Sequence, residues 1–115
     1  MVWRCCGGRL VVSFMSGHRH VAVADYSNHR VSLFTVEGEF VRHVGVGHLS
    51  YPYGVACSAF DELVVADCAN SRVVVFSASG ELLKTMAGGY FTGVALHGGT
   101  IFAQDYRNSK CILFK

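Results

Sequence analysis

Val-Ala-Asp-Tyr-Ser-Asn-His-Arg-Val-Ser-Leu-Phe, from Val23 to Phe34, returns as Val-Ala-Asp-Cys-Ala-Asn-Ser-Arg-Val-Val-Val-Phe from Val65 to Phe76. A looser copy, Phe-Ala-Gln-Asp-Tyr-Arg-Asn-Ser-Lys-Cys-Ile-Leu-Phe, runs from Phe102 to Phe114. Self-similarity at a period of about forty residues is the mark of an array of like units, and it decides the fold. Each copy holds two short runs rich in Val, Leu, Phe and Ile, parted by about four polar residues that include Asn, which is the pattern of a hairpin. The predicted strands are 20–25, 30–35, 62–67, 72–77, 100–105 and 110–115.

Inside each copy the turn has its own chemistry. The Asn three places after the Asp (Asn28, Asn70, Asn108) is expected in a left-handed backbone conformation, which Asn tolerates better than most residues. Five places after each Asp stands a cation, so the expected pairs are Asp25 with Arg30, Asp67 with Arg72 and Asp105 with Lys110. A pair repeated in every unit reads as a structural staple, not as catalytic machinery.

A second hairpin follows the first. Glu37-Gly38-Glu39 and Ser79-Gly80-Glu81 supply turns in which Gly takes positive φ, and they lead into outer strands at 40–45 and 82–88. Gly54-Val55-Ala56 and Gly93-Val94-Ala95 open the next innermost strands, where small residues leave room for close backbone packing. Four antiparallel strands and a crossover per period make a propeller blade. The stretch Pro52-Tyr53-Gly54-Val55-Ala56, Val64-Val65-Ala66-Asp67, Asn70-Ser71-Arg72-Val73, Phe76 and Gly80 resembles an NHL repeat, and Asn28-His29-Arg30-Val31 is similar. The resemblance spans residues 20–115, and in the third copy Gln104 intrudes and Lys110 stands for Arg.

The resemblance implies a β-propeller, commonly of six blades, that serves mainly as a binding platform for protein or RNA, with a minority of related propellers being enzymes. The expected fold is all-β: a partial β-propeller of about three four-stranded antiparallel NHL-type blades, the first and last incomplete. The units fall at 10–47, 48–89 and 90–115, after a non-repeat segment 1–9. A closed ring takes about four to eight blades. Either further blades from a longer chain or a second copy is therefore expected to complete it.

Composition sets outer limits. With 51% hydrophobic and 16% charged residues, the 115-residue chain is core-rich, and a net charge of +2 does not announce nucleic acid or an anionic membrane. No apolar run approaches a membrane-spanning helix. The expected compartment is the cytoplasm, although no acid precedes Asp25 and a mitochondrial presequence is the other reading. Of the five cysteines none form Cys-x-x-Cys; Cys57 and Cys111 read as small buried hydrophobes. Cys5, Cys6, His18 and His20 match no zinc spacing, so no metal or other cofactor is expected.

Antiparallel blades send alternate connections to opposite rims. One rim receives all five tyrosines, in loops carrying Tyr26, Tyr51, Tyr53, Tyr90 and Tyr106, together with His29, His48, Phe91 and Arg107. The other receives Glu37, Glu39, Asp61, Glu62 and Glu81. Tyrosine offers large contact area with a polar tip, so Tyr26, His29, Tyr51, Tyr90, Tyr106 and Arg107 are the candidate binding residues. The expected function is a non-catalytic scaffold for a protein or peptide partner, since no nucleophile elbow, His-Glu-x-x-His or phosphate loop occurs. RNA stacking on the same rim is one alternative. The other is a piece of a propeller enzyme of the lyase or lactonase kind, in which His29 and His97 are the metal-binding candidates.

Overall fold

The repeated hairpins fold as the alternating patterns require, into three antiparallel sheets. The computed structural model describes residues 11–14 and 19–115, with side chains from residue 19 onward. Sheet 1 contains β1 (Val11–Phe14), β2 (His20–Asp25), β3 (Arg30–Thr35) and β4 (Phe40–Val44). Sheet 2 contains β5 (Pro52–Cys57), β6 (Leu63–Asp67), β7 (Arg72–Phe76) and β8 (Leu82–Ala87). Sheet 3 contains β9 (Phe91–His97), β10 (Thr100–Asp105) and β11 (Lys110–Phe114). In every sheet, strands adjacent in sequence pair with each other. The innermost strands β1, β5 and β9 come together, β5 between the other two. The chain is a partial β-propeller. Residues 1–9, with Cys5 and Cys6, and also His18, lie outside the described residues.

Alternation of side chains across each strand builds two cores, one on each face of sheet 2. Leu63, Val65, Val74 and Phe76 meet Ala22, Ala24, Val31 and Leu33 of sheet 1. On the opposite face Val64, Ala66, Val73 and Val75 meet Phe91, Ile101 and Ala103 of sheet 3. Full burial of each such Val, Leu or Phe is worth roughly 1.5–3 kcal/mol, so sheet 2 is the keystone of the array. Cys57 packs partly buried against the first core, as expected. Cys111 departs from expectation and is exposed. Its counterparts Val31 and Val73 are completely covered. Cys111 points away from sheet 2, a side that no described residue covers, while its neighbour Ile112 packs inward.

The close approach expected of the small residues is real at Gly54. A Cβ there would lie 2.9 Å from the Thr92 carbonyl oxygen and 3.2 Å from the Gly93 Cα, so only glycine lets β5 and β9 pass at this distance. At the outer hairpin turns, Gly38 and Gly80 each adopt φ +96°, the conformation for which glycine was expected.

The Asp of each cassette is a clamp, and its partners differ in part from those expected. In sheet 2, Asp67 is completely buried; its Oδ2 accepts hydrogen bonds from Asn70 Nδ2 (3.0 Å) and Arg72 Nε (2.7 Å). Its Oδ1 accepts from the Ser50 backbone N–H at 2.7 Å, on the loop leading into β5. In sheet 1, Asp25 accepts from Asn28 at 3.1 Å and from Arg30 Nε at 3.2 Å. In sheet 3, Asp105 accepts from Asn108 at 2.8 Å and from the Tyr90 N–H at 3.3 Å. The expected Asp105–Lys110 pair does not form a contact ion pair among the described residues. Lys110 is exposed and acts on Asp105 only through its field, whereas Arg keeps a fork of donors that reaches the buried carboxylate.

The Asn residues are not left-handed either. That position belongs to the next residue, His29, Ser71 and Ser109, at φ +57°, +54° and +52°. Asn sits inside the turn because its amide is needed by the carboxylate. The Asp105 carboxyl is held below the usual carboxylate range, first by the Asn108 hydrogen bond and then by backbone donors, against a desolvation that pushes it up. A depressed folded-state value stabilises the fold above the ordinary carboxylate range, and that contribution is lost as pH falls through the depressed value.

Two substitutions test this framework by urea or thermal unfolding. Asp67→Ala strands Arg72 and several donors at a buried site and should cost about 3–5 kcal/mol. Gly54→Ala overpacks backbone against backbone and should cost about 1–3 kcal/mol. A neutral result for either would remove that residue from the framework.

Candidate functional site

The clamps position the rim above them. Each Asp closes a short turn, and the residue immediately after it (Tyr26, Cys68, Tyr106) is thereby delivered to the same end of its blade. The loops leading into β5 and β9 arrive at that end too, tied to Asp67 and Asp105 through the Ser50 and Tyr90 N–H groups. A concavity of about 490 Å³ forms there. Its walls are Tyr26, Tyr53, Tyr90 and Tyr106 with Thr92 and Gln104, and Cys68 lies at its base. Sheets 1, 2 and 3 all contribute.

Of the sequence-predicted residues, Tyr26, Tyr90 and Tyr106 are brought together in this concavity. Tyr51 stands against Tyr26, with ring centroids 5.0 Å apart, and His29 stands against Tyr51 at 4.4 Å. His29 is engaged structurally: its Nδ1 accepts the Tyr51 backbone N–H at 3.0 Å, joining the β2–β3 turn to the next blade. Arg107 lies over the Tyr90 ring, 4.3 Å from the centroid, a cation–π contact on one of the rings that line the concavity.

One residue expected on this rim, Phe91, does not belong to its surface, whereas His48 is exposed as expected. Phe91 is completely buried and stacks on Phe114 at 5.9 Å, because its place opposite Asp105 on β9 turns it into the core between sheets 2 and 3. The exposed His48 ring lies 6.4 Å from the Phe76 ring centroid, and the His48 carbonyl accepts from Arg72 Nη2. The metal-binding candidates His29 and His97 are not brought together: His29 is on this rim, and His97 ends β9 at the other. Among the described residues no group of three or more His, Cys, Asp or Glu is arranged to hold a metal ion.

Sequence reasoning missed Cys68, Thr92 and Gln104. The signal for Cys68 was present, since it fills the repeat position of Tyr26 and Tyr106. Thr92 holds the repeat position of Tyr53, and Gln104 replaces the Ala of the other two cassettes.

The electrostatics of the concavity are those of neutral donors. The Tyr90 hydroxyl donates to Cys68, and this bond is the first cause pushing the Tyr90 phenol above its ordinary value. Burial pushes the Cys68 thiol up, only partly offset by the Tyr90 hydrogen bond and the Arg107 charge. Both groups stay protonated at neutral pH. The surface offers ring faces and hydrogen bonds, with neither group poised as a base.

No family model matches the chain, and no curated protein sequence matches it. Solved structures do. Virginiamycin B lyase from Staphylococcus aureus, in a catalytically inactive form with quinupristin, is 13% identical with a TM-score of 0.75, covering 90% of this chain and 36% of that one. A gluconolactonase from Xanthomonas campestris is 16% identical with a TM-score of 0.71, covering 90% and 35%. Regucalcin, a calcium-binding protein from Agrobacterium tumefaciens, is 14% identical with a TM-score of 0.72, covering 82% and 36%. The chain thus spans about a third of the length of these propeller-type structures.

At such identities the likeness shows the fold alone, but it corrects the expectation of a non-catalytic module. Two of these three similar structures are enzymes, a lyase and a gluconolactonase. The expectation rested on the lack of contiguous catalytic motifs. A propeller gathers side chains from separate blades at one face, so a motif search along the chain has no power to exclude catalysis.

The buried, protonated state of Cys68 has a direct check. Under native conditions near neutral pH, iodoacetamide should alkylate exposed Cys111 at least about tenfold faster than Cys68, read by peptide mass spectrometry. Fast labelling of Cys68 would contradict the hydrogen-bonded, desolvated thiol.

Proposed function

We propose that this chain forms part of an NHL-type propeller enzyme of the lyase or lactonase kind and that the tyrosine concavity is its small-molecule binding site. The observation that carries this reading is the convergence of side chains from all three blades on one concavity. A volume of about 490 Å³ lies within the range of ligand sites, which runs from about 300 to 1,000 Å³. Tyr26, Tyr53, Tyr90 and Tyr106 provide stacking faces, while Thr92 and Gln104 add polar groups that fix orientation. The part of the reaction assigned to these residues is binding and orientation. Further blades, from a second copy or from additional chain, close the ring, and the solution mass by light scattering distinguishes the two.

A protein or peptide partner on the same rim is the second reading. It is supported by Tyr51 and Tyr106, which are 42% and 67% exposed at the loop tips. The two readings differ in what a ligand covers. A small molecule shields Tyr90 and Thr92 inside the concavity, whereas a partner protein shields Tyr51 and the outer face of Tyr106.

The test is a ligand-observed NMR screen of small lactones and aromatic ring compounds, repeated with Tyr106→Ala. Because Tyr106 is so exposed, the variant should keep its melting temperature within about 2 °C, consistent with surface changes near ±0.5 kcal/mol. It should lose about tenfold or more in affinity, roughly 1.4 kcal/mol. Hits unaffected by the substitution would place binding elsewhere.

A further inference from the structure

Among the described residues, the eight acidic side chains are distributed so that two cations at the β10–β11 turn of the tyrosine rim, Arg107 and Lys110, have no carboxylate in contact. Lys110 still acts on Asp105 through its field. Asp25, Asp67 and Asp105 are closed inside the clamps. The other five, Glu37, Glu39, Asp61, Glu62 and Glu81, occupy the β3–β4, β5–β6 and β7–β8 connections, at the opposite end of the blades. Arg30 and Arg72 are paired with their aspartates, and Arg72 also donates to the His48 carbonyl. For Arg107, in the β10–β11 turn, no carboxylate lies within ion-pair distance among the described residues.

The geometry of Arg107 matters as much as its charge. Its guanidinium carbon lies over the Tyr90 ring, 4.3 Å from the ring centroid. The N–H donors of a guanidinium lie in its plane, so a stack leaves them available for a planar acceptor approaching edge-on. Tyr90 and the residue preceding Arg107, Tyr106, both line the concavity, and none of the lining residues is acidic. Carboxylate is the group that matches a guanidinium edge with two parallel hydrogen bonds.

We infer that the concavity takes a planar ring compound bearing a carboxylate, its ring against the tyrosines and its carboxylate on the edge of Arg107. This rests on the small-molecule reading of the same site and narrows it to one ligand class. Neutral rings of the same shape bind more weakly for want of the charge-assisted pair. Cationic ones bind weakest, since they meet Arg107 without compensation.

Three probes share one ring and differ in charge: para-hydroxybenzoate, para-hydroxybenzamide and para-hydroxybenzylamine. Their dissociation constants are measured by saturation-transfer NMR titration near neutral pH with wild type, Arg107→Gln, Arg107→Lys and Tyr106→Ala. The wild type should bind the benzoate about tenfold more tightly than the amide, with the amine last. Arg107→Gln should bring the benzoate down to the amide while leaving amide binding in place. Arg107→Lys should restore part of the difference, as a point charge without the planar fork. Tyr106→Ala should weaken all three.

Equal binding of acid and amide, or a preference that survives Arg107→Gln, would overturn the carboxylate assignment. In that case loss of binding in Tyr106→Ala would still support the tyrosine site. Failure of all three probes to bind would also overturn the assignment, and the broader screen would then decide the site.

Discussion

The interaction on which the structure depends is the buried aspartate at the end of each second strand. A carboxylate taken out of water is costly unless its lone pairs are filled, and here they are filled from separate stretches of chain. Asp67 takes an amide from its own turn, a guanidinium from the following strand and a backbone N–H from the loop before β5. Asp105 repeats the arrangement with Asn108 and the Tyr90 N–H. The clamp therefore sets two things at once: the hairpin turn, and the height at which the chain enters the same blade's inner strand.

The candidate site follows from that constraint. The side chain after each clamp Asp is delivered to the rim, and the loop held by the carboxylate carries Tyr90 in sheet 3 and precedes Tyr51 and Tyr53 in sheet 2. The Gly54 contact then brings β5 and β9 close enough for Tyr53 and Thr92 to share a concavity. Rigid blades with variable residues just beyond their clamps form a scaffold on which different chemistries can be placed. The structural likeness to both a lyase and a gluconolactonase fits that principle without transferring either activity.

Much of this was legible in the residues. The strand positions followed from alternating hydrophobicity, and the alternation of connections placed tyrosines and acids at opposite ends. The errors share a cause: the repeat position states that a residue is used, but not how. The turn position of Asn28, Asn70 and Asn108 suggests a backbone role, but their amides serve the carboxylate. Its place at the end of a loop puts Phe91 at the rim, yet as the first residue of β9 it turns into the core. Cys68 holds the repeat position of Tyr26 and Tyr106, and a difference in residue type hides that shared position from a search for tyrosines.

The sequence by itself determined the unit, the hairpins and the fold class, because those depend on local periodicity and on turn chemistry confined to a few adjacent residues. It also determined that three Asp residues would be structural, since a repeated residue answers a repeated need. Only the tertiary structure decided which side chains meet. Tyr26 and Tyr106 are eighty positions apart in the chain, and they share a concavity because three blades converge on their inner strands. The burial of Val73 against the exposure of Cys111 was settled in the same way, by whether another sheet covers that face. Local pattern assigns a residue to a face; what lies across from that face is a property of the packed array.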